Sequence, residues 1–364
     1  MRSTRISIFV TMLILIGIGI VMIYSASSIP MWQSTGRSSS LLKKQFLYLV
    51  LGFAAMFVTM VVDYQKLRKI AKPLLIFTII PLILVLVPGI SRESGGAKRW
   101  LHAFGFNYQP SEFVKIALII YVADFINRNA RFLKEFWRGF VPPMLVLGFV
   151  ILLVLLQPDL GTAISFVVLV FTMMFVSGAK PQHIILTFIS ALPFLYLLVF
   201  SVPYRRARIL AFLNPWLDPR GSGFQIIQSQ IALGSGGLLG VGLGQGKQKL
   251  FYLPAAHTDF IFSIIGEELG LLGAGLVILL FIFLIWNMSR IVYSVRDPFG
   301  KLICIGVLTL IAFSAVVNIG VSIGSLPTKG LPLPFISYGG SSLIFHMVAV
   351  GLLLNISKTE EVTL

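Results

Sequence analysis

Apolar segments about as long as a membrane is thick recur along the whole chain and constrain its fold more than any other feature. Ten of them stand out, near residues 6–26, 46–62, 71–90, 113–127, 140–156, 160–178, 183–202, 259–286, 302–325 and 335–356. An α-helix needs about 20 apolar residues to cross a bilayer core of about 30 Å. The chain is therefore predicted to be all-α, a polytopic membrane protein built as a bundle of about ten transmembrane helices.

The composition agrees with a membrane protein. Of the 364 residues, 57% are hydrophobic and 12% are charged, against about half and about a quarter in soluble domains. The net charge of +16 would suggest nucleic acid in a soluble protein, but the sequence has no recognisable DNA- or RNA-binding motif, and we expect no nucleic-acid partner. In a membrane protein such charge is typical of topology signals and of attraction for anionic lipids or substrates.

The distribution of basic residues predicts the orientation of the chain. With a cytoplasmic N-terminus, the inner loops carry more Lys and Arg than the short outer loops, as the positive-inside rule requires. An even number of spans then places both termini in the cytoplasm. It also places the long connection 203–258, between the seventh and eighth spans, outside the cell. We expect one domain over residues 1–364, with 203–258 as an extracytoplasmic loop within it.

Two pieces of the 203–258 loop have patterns of their own. The stretch GFQIIQSQIAL has Phe224, Ile227 and Ile231 on one helical face and is predicted to lie in the membrane interface. The run GSGGLLGVGLGQGKQK that follows lacks the residues of a phosphate-binding P-loop at Val241 and Gln248. We predict a flexible surface loop there, with approach of its backbone to a lipid or sugar phosphate as the alternative.

Ionisable side chains in or beside the spans are the candidates for chemistry. Each costs about 2.5–3.5 kcal/mol at the centre of a span on insertion scales, so such residues are functional candidates by default. Asp259 is at the outer end of the eighth span, where it could cap the helix or accept a proton at the aqueous boundary. Glu267 and Glu268 lie about 12 Å deeper and point elsewhere around the helix, so we expect them to hold helices together.

Other charged residues should approach Asp259 if their helices are neighbours. Glu112 and Lys115, in NYQPSEFVKI, lie three residues apart on one helical face and can pair. Asp159, in QPDLGTAI, opens the sixth span on the same side of the membrane, with helix capping as its structural alternative. We expect these residues and Asp259 to line one cavity in the outer leaflet.

Two further residues of the outer segments are candidates for binding. His257 is the histidine nearest the acids, either as a hydrogen-bonded structural residue or as a substrate contact. With no second His or Cys beside it, a zinc site is not expected. Lys329, in SLPTKGLPLPFISYGGSSLIFHM, precedes the last span and would offer its charge to an anionic group.

Five stretches resemble the motifs of the SEDS family, the shape, elongation, division and sporulation proteins: LPAAHTDFIFSIIGEELG, QPSEFVK, QPDLGT, GGLLGVGLGQGKQK and PLPFISYGGSS. They follow the family's order and cover nearly the whole chain, and their details favour its division and sporulation members over its rod-shape member. The resemblance implies a peptidoglycan glycosyltransferase that polymerises lipid II on the outer face of the bacterial cytoplasmic membrane, during cell division or wall growth. The family's essential aspartate, in HTDF, corresponds to Asp259.

The resemblance also implies site residues and partners. The family's QPSE…K residues correspond to Glu112 and Lys115, and its QPDLG aspartate corresponds to Asp159. The expected substrates are lipid II and a polyprenyl-pyrophosphate-linked glycan. A class B penicillin-binding protein is the expected transpeptidase partner, alongside other membrane proteins of the division or elongation machinery, at the division septum.

The chemistry of such a reaction assigns roles to the candidates. A carboxylate can take the proton of the attacking sugar hydroxyl, so Asp259 is the expected general base, or the ligand of a divalent ion, Mg²⁺ or Mn²⁺. No organic cofactor is expected. Positive charge has to stabilise the departing pyrophosphate, and the candidates to supply it are Lys115, Arg205, Arg206, Lys247 and Lys329.

Two other functions fit a bundle of this kind. A flippase for lipid II would carry its functional acids near the midplane of the membrane, whereas these acids gather at the outer boundary. A scaffold that only recruits the penicillin-binding protein would leave the acids replaceable. Polymerisation of lipid II by the purified protein distinguishes the three.

Overall fold

The computed structural model describes residues 1–94, 97–103, 106–250 and 252–362. Within these ranges the α-helices have the following bounds: α1 Arg2–Thr35, α2 Ser40–Val61, α3 Leu67–Leu84, α4 Pro110–Arg128, α5 Val141–Leu155, α6 Leu160–Val176, α7 Pro181–Phe200, α8 Pro203–Leu213, α9 Phe224–Ser235, α10 Ile261–Ser294, α11 Pro298–Ser322 and α12 Gly340–Val362. Each of the ten predicted segments corresponds to one of them, α1 to α7 and α10 to α12. The prediction of an all-α polytopic membrane protein is confirmed.

Length and composition identify the helices able to cross a membrane. Seven of the described helices are long and apolar enough, with α5 counted together with the π-helical turn Phe136–Phe140 that precedes it, and Leu160–Val176 is a shorter apolar helix. The remaining two, α3 and α4, carry charged residues that make them less apolar: α3 begins with a basic stretch, and α4 contains Glu112, Lys115 and Asp124. The charge in α4 belongs to the site described below.

A small β-sheet joins α3 to α4 and departs from the all-α prediction. Strands β1 (Ser91–Ser94), β2 (Ala97–Ala103) and β3 (Phe106–Tyr108) form an antiparallel sheet in the order β1-β2-β3. These strands are short and lie between two long apolar runs, so the hydropathy pattern that reveals the spans does not reveal them. The sheet matters because β2 carries Arg99, whose Nε donates to the backbone oxygen of Gln157 at 3.3 Å.

The two ends of the chain lie at the same end of the bundle. Arg5 Nη1 donates to the backbone oxygen of Ser357 at 3.1 Å. This contact joins the first turns of α1 to the last turns of α12, as an even number of crossings requires. Between them, α11 and α12 are buried along most of their length, whereas α7 has no buried residue and lies at the edge.

Helix α10 is interrupted at Gly270, and the glycine-rich run packs against it there. Gly270 has φ 68° and ψ −167°, a conformation outside the helical region. Because the helix is broken there, nearby carbonyl groups need other partners. The backbone N–H groups of Val241 and Gly242 donate to the carbonyl oxygens of Glu267 and Glu268 at 3.0 and 3.1 Å.

Close approach of two backbones explains why this segment is rich in glycine. A Cβ atom at Gly236 would overlap the carbonyl oxygen of Gly266, and one at Gly240 would overlap that of Glu268. Only glycine leaves room for such contact. The prediction of a flexible surface loop is therefore wrong: the run packs against α10 through paired backbone groups.

The carboxylates of Glu267 and Glu268 connect α10 with its surroundings, as expected from their depth. Glu267 Oε1 accepts the backbone N–H of Lys247 at 2.7 Å. Glu268 Oε1 lies 2.6 Å from Lys249 Nζ, and Ser25 of α1 donates to the same carboxylate at 2.7 Å. Burying an acid without such partners would destabilise the folded protein. The acids lie on α10 and their partners on α1 and the outer loop, so this network holds these three parts together.

Helix α9 was predicted to lie in the membrane interface, and the structure corrects this. Its residues Ile226, Ile227, Ser229 and Ala232 are buried, and α9 packs against α10 and α11. Ser229 Oγ donates to the backbone oxygen of Ser322 at 2.7 Å. The face that packs against the bundle combines apolar, small and hydroxyl residues. This pattern is typical of contacts with other helices rather than of contacts with lipid.

Candidate active site

Asp259 lies in the turn that leads into α10. The helix begins at Ile261 and has no capping hydrogen bond from a side chain, so helix capping does not explain this aspartate. Its backbone oxygen accepts Nδ2 of Asn318 at 2.9 Å, and the same amide donates to Leu331 at 2.8 Å. Asn318 of α11 thereby holds the Asp259 turn beside the segment that precedes α12.

Two further hydrogen bonds join these segments. Tyr338 N–H donates to the backbone oxygen of His257 at 3.0 Å, and the two rings meet edge to face with centroids 5.8 Å apart. Ser337 Oγ donates to the backbone oxygen of Thr258 at 2.6 Å. His257 thus joins the two segments through its backbone oxygen and its ring, and its side chain is half-buried.

Space beside the Asp259 carboxylate comes from Gly330. A Cβ atom at this glycine would lie 3.1 Å from Asp259 Oδ2. Any side chain at position 330 would crowd the carboxylate. The side chain of Asp259 is half-buried and makes no hydrogen bond through its carboxylate within the described residues, so it is available to a bound molecule.

Asp159 forms the second acidic position of the site. Its Oδ1 accepts the backbone N–H of Thr162 at 3.2 Å, and its Oδ2 accepts the Thr162 hydroxyl at 2.9 Å. The predicted capping of α6 is confirmed. Arg99 Nε lies 3.7 Å from Asp159 Oδ2, and Arg99 also donates to the backbone oxygen of Pro158.

The side chain of Lys329 and the carboxylate of Asp159 both lie beside Gly161. A Cβ atom at Gly161 would lie 3.0 Å from Lys329 Cε and 3.2 Å from Asp159 Oδ1. Gly161 therefore lets the lysine stem pass close to the first turn of α6, near Asp159. The Nζ atom lies 5.9 Å from the ring centroid of Phe313, within the range of a cation–π contact.

Burial shifts the pKa values of Asp259 and Lys329 toward neutral pH. Burial raises the pKa of Asp259 to about 6, with Asp159 adding to the rise and the positive charges of Arg208 and Arg99 opposing it. Burial lowers the pKa of Lys329 to about 8, opposed by Asp159 and reinforced by Lys115. A carboxylate with such a pKa can exchange a proton near neutral pH.

The predicted pair on α4 is present. Lys115 Nζ lies 2.6 Å from Glu112 Oε1, and both side chains are almost completely buried. Through its charge Lys115 acts on Lys329, so the pair borders the site on its inner side. The structure therefore brings Asp259, Asp159, Lys329 and the α4 pair into one cluster.

Three predicted residues have no described side-chain contact with this cluster. Arg205 Nη1 donates to the backbone oxygen of Leu198 at 2.9 Å, while Arg206 and Lys247 are exposed. The arginine of α8 whose charge acts on Asp259 is instead Arg208, which donates to the backbone oxygen of Thr328 at 3.3 Å. The sequence shows three arginines in α8, and only the orientation of the helix decides which one faces the site.

The side chains of the cluster show whether it could bind a metal ion. Within the described ranges, no group of three or more His, Cys, Asp or Glu side chains could hold a metal ion. Of the three carboxylates in the cluster, Glu112 is paired with Lys115, which leaves Asp259 and Asp159 for an ion. Since Mg²⁺ is often bound by one or two carboxylates together with substrate phosphates, these residues fit an ion that arrives with a phosphate better than an all-protein metal cage.

Comparison with known proteins agrees with this arrangement. The family model of FtsW, RodA and SpoVE, described as cell cycle protein, matches residues 5–362. A protein of Geobacter metallireducens named "Probable peptidoglycan glycosyltransferase FtsW" is 48% identical over 345 residues, 95% of this chain and 92% of its own. Stage V sporulation protein E of Bacillus subtilis is 44% identical and covers 95% and 94%.

Two solved structures have a similar fold. One is a chain from work on polymerization and crosslinking by a peptidoglycan synthase complex, with a TM-score of 0.81 and 31% identity over 97% of both chains. The other is RodA of Thermus thermophilus, a rod shape determining protein, with a TM-score of 0.69 and 27% identity over 97% of this chain and 96% of that one.

Proposed function

This chain belongs to the FtsW, RodA and SpoVE family of cell cycle proteins, and we propose that it is a peptidoglycan glycosyltransferase that polymerises lipid II on the outer face of the cytoplasmic membrane. The names of its relatives support the activity. The observation that carries the proposal is the cluster itself: an Asp259 carboxylate without a hydrogen-bond partner among the described residues, held beside Asp159, Lys329 and Arg99 at one end of the bundle.

The proposed reaction is a displacement at the anomeric carbon of the donor sugar. A hydroxyl oxygen of the acceptor sugar attacks this carbon and forms the new glycosidic bond, while its proton passes to Asp259. The bond between the anomeric carbon and the pyrophosphate oxygen breaks, and its electron pair leaves with the pyrophosphate. A single displacement of this kind inverts the configuration at the anomeric carbon.

Positive groups have to stabilise the charge that develops on the departing pyrophosphate. Lys329 and Arg99 lie beside Asp159 and are the cations of the cluster nearest to this role. A divalent ion, Mg²⁺ or Mn²⁺, would be held by Asp259 with phosphate oxygens of the substrate, and would supply further positive charge to the leaving group.

An apolar groove beside Asp159 supports a lipid-linked substrate. It lies between α5, α6 and α7, has a volume of about 300 Å³ and is lined at one end by Leu160, the residue after Asp159. A polyprenyl chain lying in this groove would hold its pyrophosphate at the start of α6, next to Lys329. The position of the acids at the boundary of the bundle supports an enzyme more than a flippase, which needs acids near the midplane.

The proposal includes a place and partners. The family description and the FtsW relatives support a multi-pass protein of the bacterial cytoplasmic membrane at the division septum, with both termini in the cytoplasm. The structural match to a chain of a peptidoglycan synthase complex supports a class B penicillin-binding protein as partner. Other membrane proteins of the division or elongation machinery complete the assembly.

Polymerisation of lipid II by the purified protein, with and without a class B penicillin-binding protein, tests the function. Asp259→Asn keeps the size of the side chain and removes the proton acceptor. We expect the rate of glycan synthesis to fall about 10²- to 10⁴-fold, the range of general acid–base catalysis. The products are resolved as glycan strands on a gel.

Glu135→Gln is the matched control, because Glu135 is an exposed acid in the connection between α4 and α5. It should polymerise as the wild type does. Equal activity of Asp259→Asn and the wild type would exclude Asp259 as general base. Flipping of lipid II in vesicles, with no glycan made by any variant, would favour transport.

A further inference from the structure

A second cavity lies on the outer side of the site and has no role in the reaction described so far. Its volume is about 420 Å³, and its polar lining includes Tyr204, Arg208, Arg220, Ser222, Gln225 and Thr328. These residues come from α8, from the turn before α9 and the first turn of α9, and from the segment before α12. We call it the arginine pocket.

The two arginines give the pocket a positive charge. Neither guanidinium forms an ion pair with an acid of the described residues, and the lining includes no carboxylate. The nearest acid in sequence, Asp218, accepts hydrogen bonds within its own turn, from the backbone N–H of Ser222 at 2.7 Å and from that of Gly221 at 3.1 Å. Two arginines without acid partners favour an anionic ligand, which guanidinium groups bind in bidentate fashion.

Contacts of Arg208 hold it at the boundary between the pocket and the catalytic cluster. Its Cζ lies 4.5 Å from the ring centroid of Tyr204, and its Nη1 donates to the backbone oxygen of Thr328. The charge of the same guanidinium acts on Asp259. Arg208 has five N–H donors, so these contacts leave others for a ligand.

The wall between the pocket and Asp259 is thin. Thr328 lines the pocket, and Gly330 lies against the Asp259 carboxylate. Two residues of extended chain span at most about 7 Å. A molecule that fills the pocket can therefore reach Asp259 with an adjoining sugar.

Polymerisation requires two glycan substrates to be bound at once, one on each side of the bond that forms. The cations next to Asp159 serve one anionic substrate, and the arginine pocket, which Thr328 lines, has cations of its own. We propose that the arginine pocket is the subsite of the second glycan substrate and that Arg208 and Arg220 bind an oxyanion of it. This inference rests on the proposed function, which supplies the substrate class.

The oxyanion has two sources in a peptidoglycan precursor, the pyrophosphate and the carboxylates of the stem peptide. Three probes separate them: a lipid II analogue with a short prenyl chain, the same prenyl pyrophosphate without sugars, and the disaccharide-peptide without phosphate. Affinities of the full-length protein in detergent for each probe are measured by titration calorimetry. Dependence on the arginines for the second probe assigns the pyrophosphate, and for the third the carboxylates.

Arg220→Gln is the decisive variant, since Arg220 is exposed and makes no side-chain hydrogen bond within the described residues. We expect the lipid II analogue to bind at least about tenfold more weakly, the loss of one charged hydrogen bond. Arg208→Gln should show a similar loss, and Arg208→Lys should not restore it. Polymerisation by Arg220→Gln should show a raised KM with an unchanged kcat.

Lys44→Gln is the matched control, an exposed cation of the same outer side, and should bind all three probes as the wild type does. Equal affinity of Arg220→Gln and the wild type for the analogue would overturn the subsite. So would a loss for the analogue with no arginine dependence for either fragment. Arginine-dependent binding by a wild type that makes no glycan would support the subsite and contradict the proposed function, so the two failures are distinguishable.

Discussion

At the scale of single residues, two groups define the site, and burial shifts their pKa values toward each other. The pKa of Asp259 rises to about 6 and that of Lys329 falls to about 8. Between these values Asp259 is ionised and Lys329 is positively charged. This is the state that general base catalysis and stabilisation of a leaving pyrophosphate require.

Polymerisation should therefore depend on pH with two limbs. The rate should fall as the pH drops through about 6, because protonated Asp259 cannot accept a proton. It should also fall as the pH rises through about 8, because Lys329 loses its charge. Initial rates on lipid II, measured in overlapping buffers, give both limbs.

The variant Lys329→Arg tests the assignment of the upper limb. Arginine stays charged at all accessible pH values, so the limb near pH 8 should disappear while the limb near pH 6 stays. A limb near pH 8 that persists in Lys329→Arg would belong to another group.

Sequence patterns predicted some residues of the site and missed others for a physical reason. The Glu112–Lys115 pair follows from the helical period, which places residues three apart on one face. The contacts of Arg99 and Arg208 depend on how a short strand and a loop helix are docked. No local pattern encodes such docking.

At the scale of elements, the glycine-rich segment 236–242 acts as a backbone partner for the broken helix α10. Its residues pair with carbonyl and N–H groups on both sides of Gly270. Composition alone suggested a flexible loop, because glycine runs are flexible unless a partner backbone lies alongside. The partner is distant in sequence and was invisible to a local pattern.

The pair of variants Gly236→Ala and Gly234→Ala separates close packing from helix propensity. A Cβ at Gly236 overlaps the carbonyl oxygen of Gly266, whereas a Cβ at Gly234 meets nothing within 4 Å. We expect Gly236→Ala to lower the free energy of unfolding by about 1–3 kcal/mol, the range of overpacking. Thermal unfolding in detergent gives the comparison.

The control variant Gly234→Ala should change the stability in the opposite direction. Gly234 is in α9, so alanine there reduces the conformational freedom of the unfolded chain and should stabilise the protein by about 0.4–1 kcal/mol. Equal melting temperatures for the two variants would show that contact with α10 does not restrict position 236.

At the scale of the whole molecule, the ten apolar segments and their order were predictable, because membrane thickness fixes helix length. Which helices touch was not, since lipid-facing and buried helices have similar composition. Helices α7 and α11 are both apolar. One has no buried residue and the other is buried along most of its length.

The orientation in the membrane can be tested with single cysteines. The native Cys304 is buried and should give little background with a membrane-impermeant maleimide. Leu217→Cys is in the 203–258 connection and Lys134→Cys in the connection after α4, both exposed. The first should be labelled in intact cells, and the second only after the membrane is permeabilised.

The reverse labelling pattern would invert the orientation and remove the reaction from the outer face. Labelling of both cysteines in intact cells would show that one of the ten helices does not cross the membrane. Either result can be read independently of enzymatic activity.

The residues around Asp259 come from separate parts of the chain: β2, the start of α6, α8, the turn before α10 and the segment before α12. They are spread over residues 99–329, so no short fragment of the chain contains all of them. A recombination event that exchanges one fragment between relatives therefore splits the centre and forces mismatched walls to meet. We therefore expect relatives to exchange such a centre only with a long part of the chain, and to vary it by single substitutions.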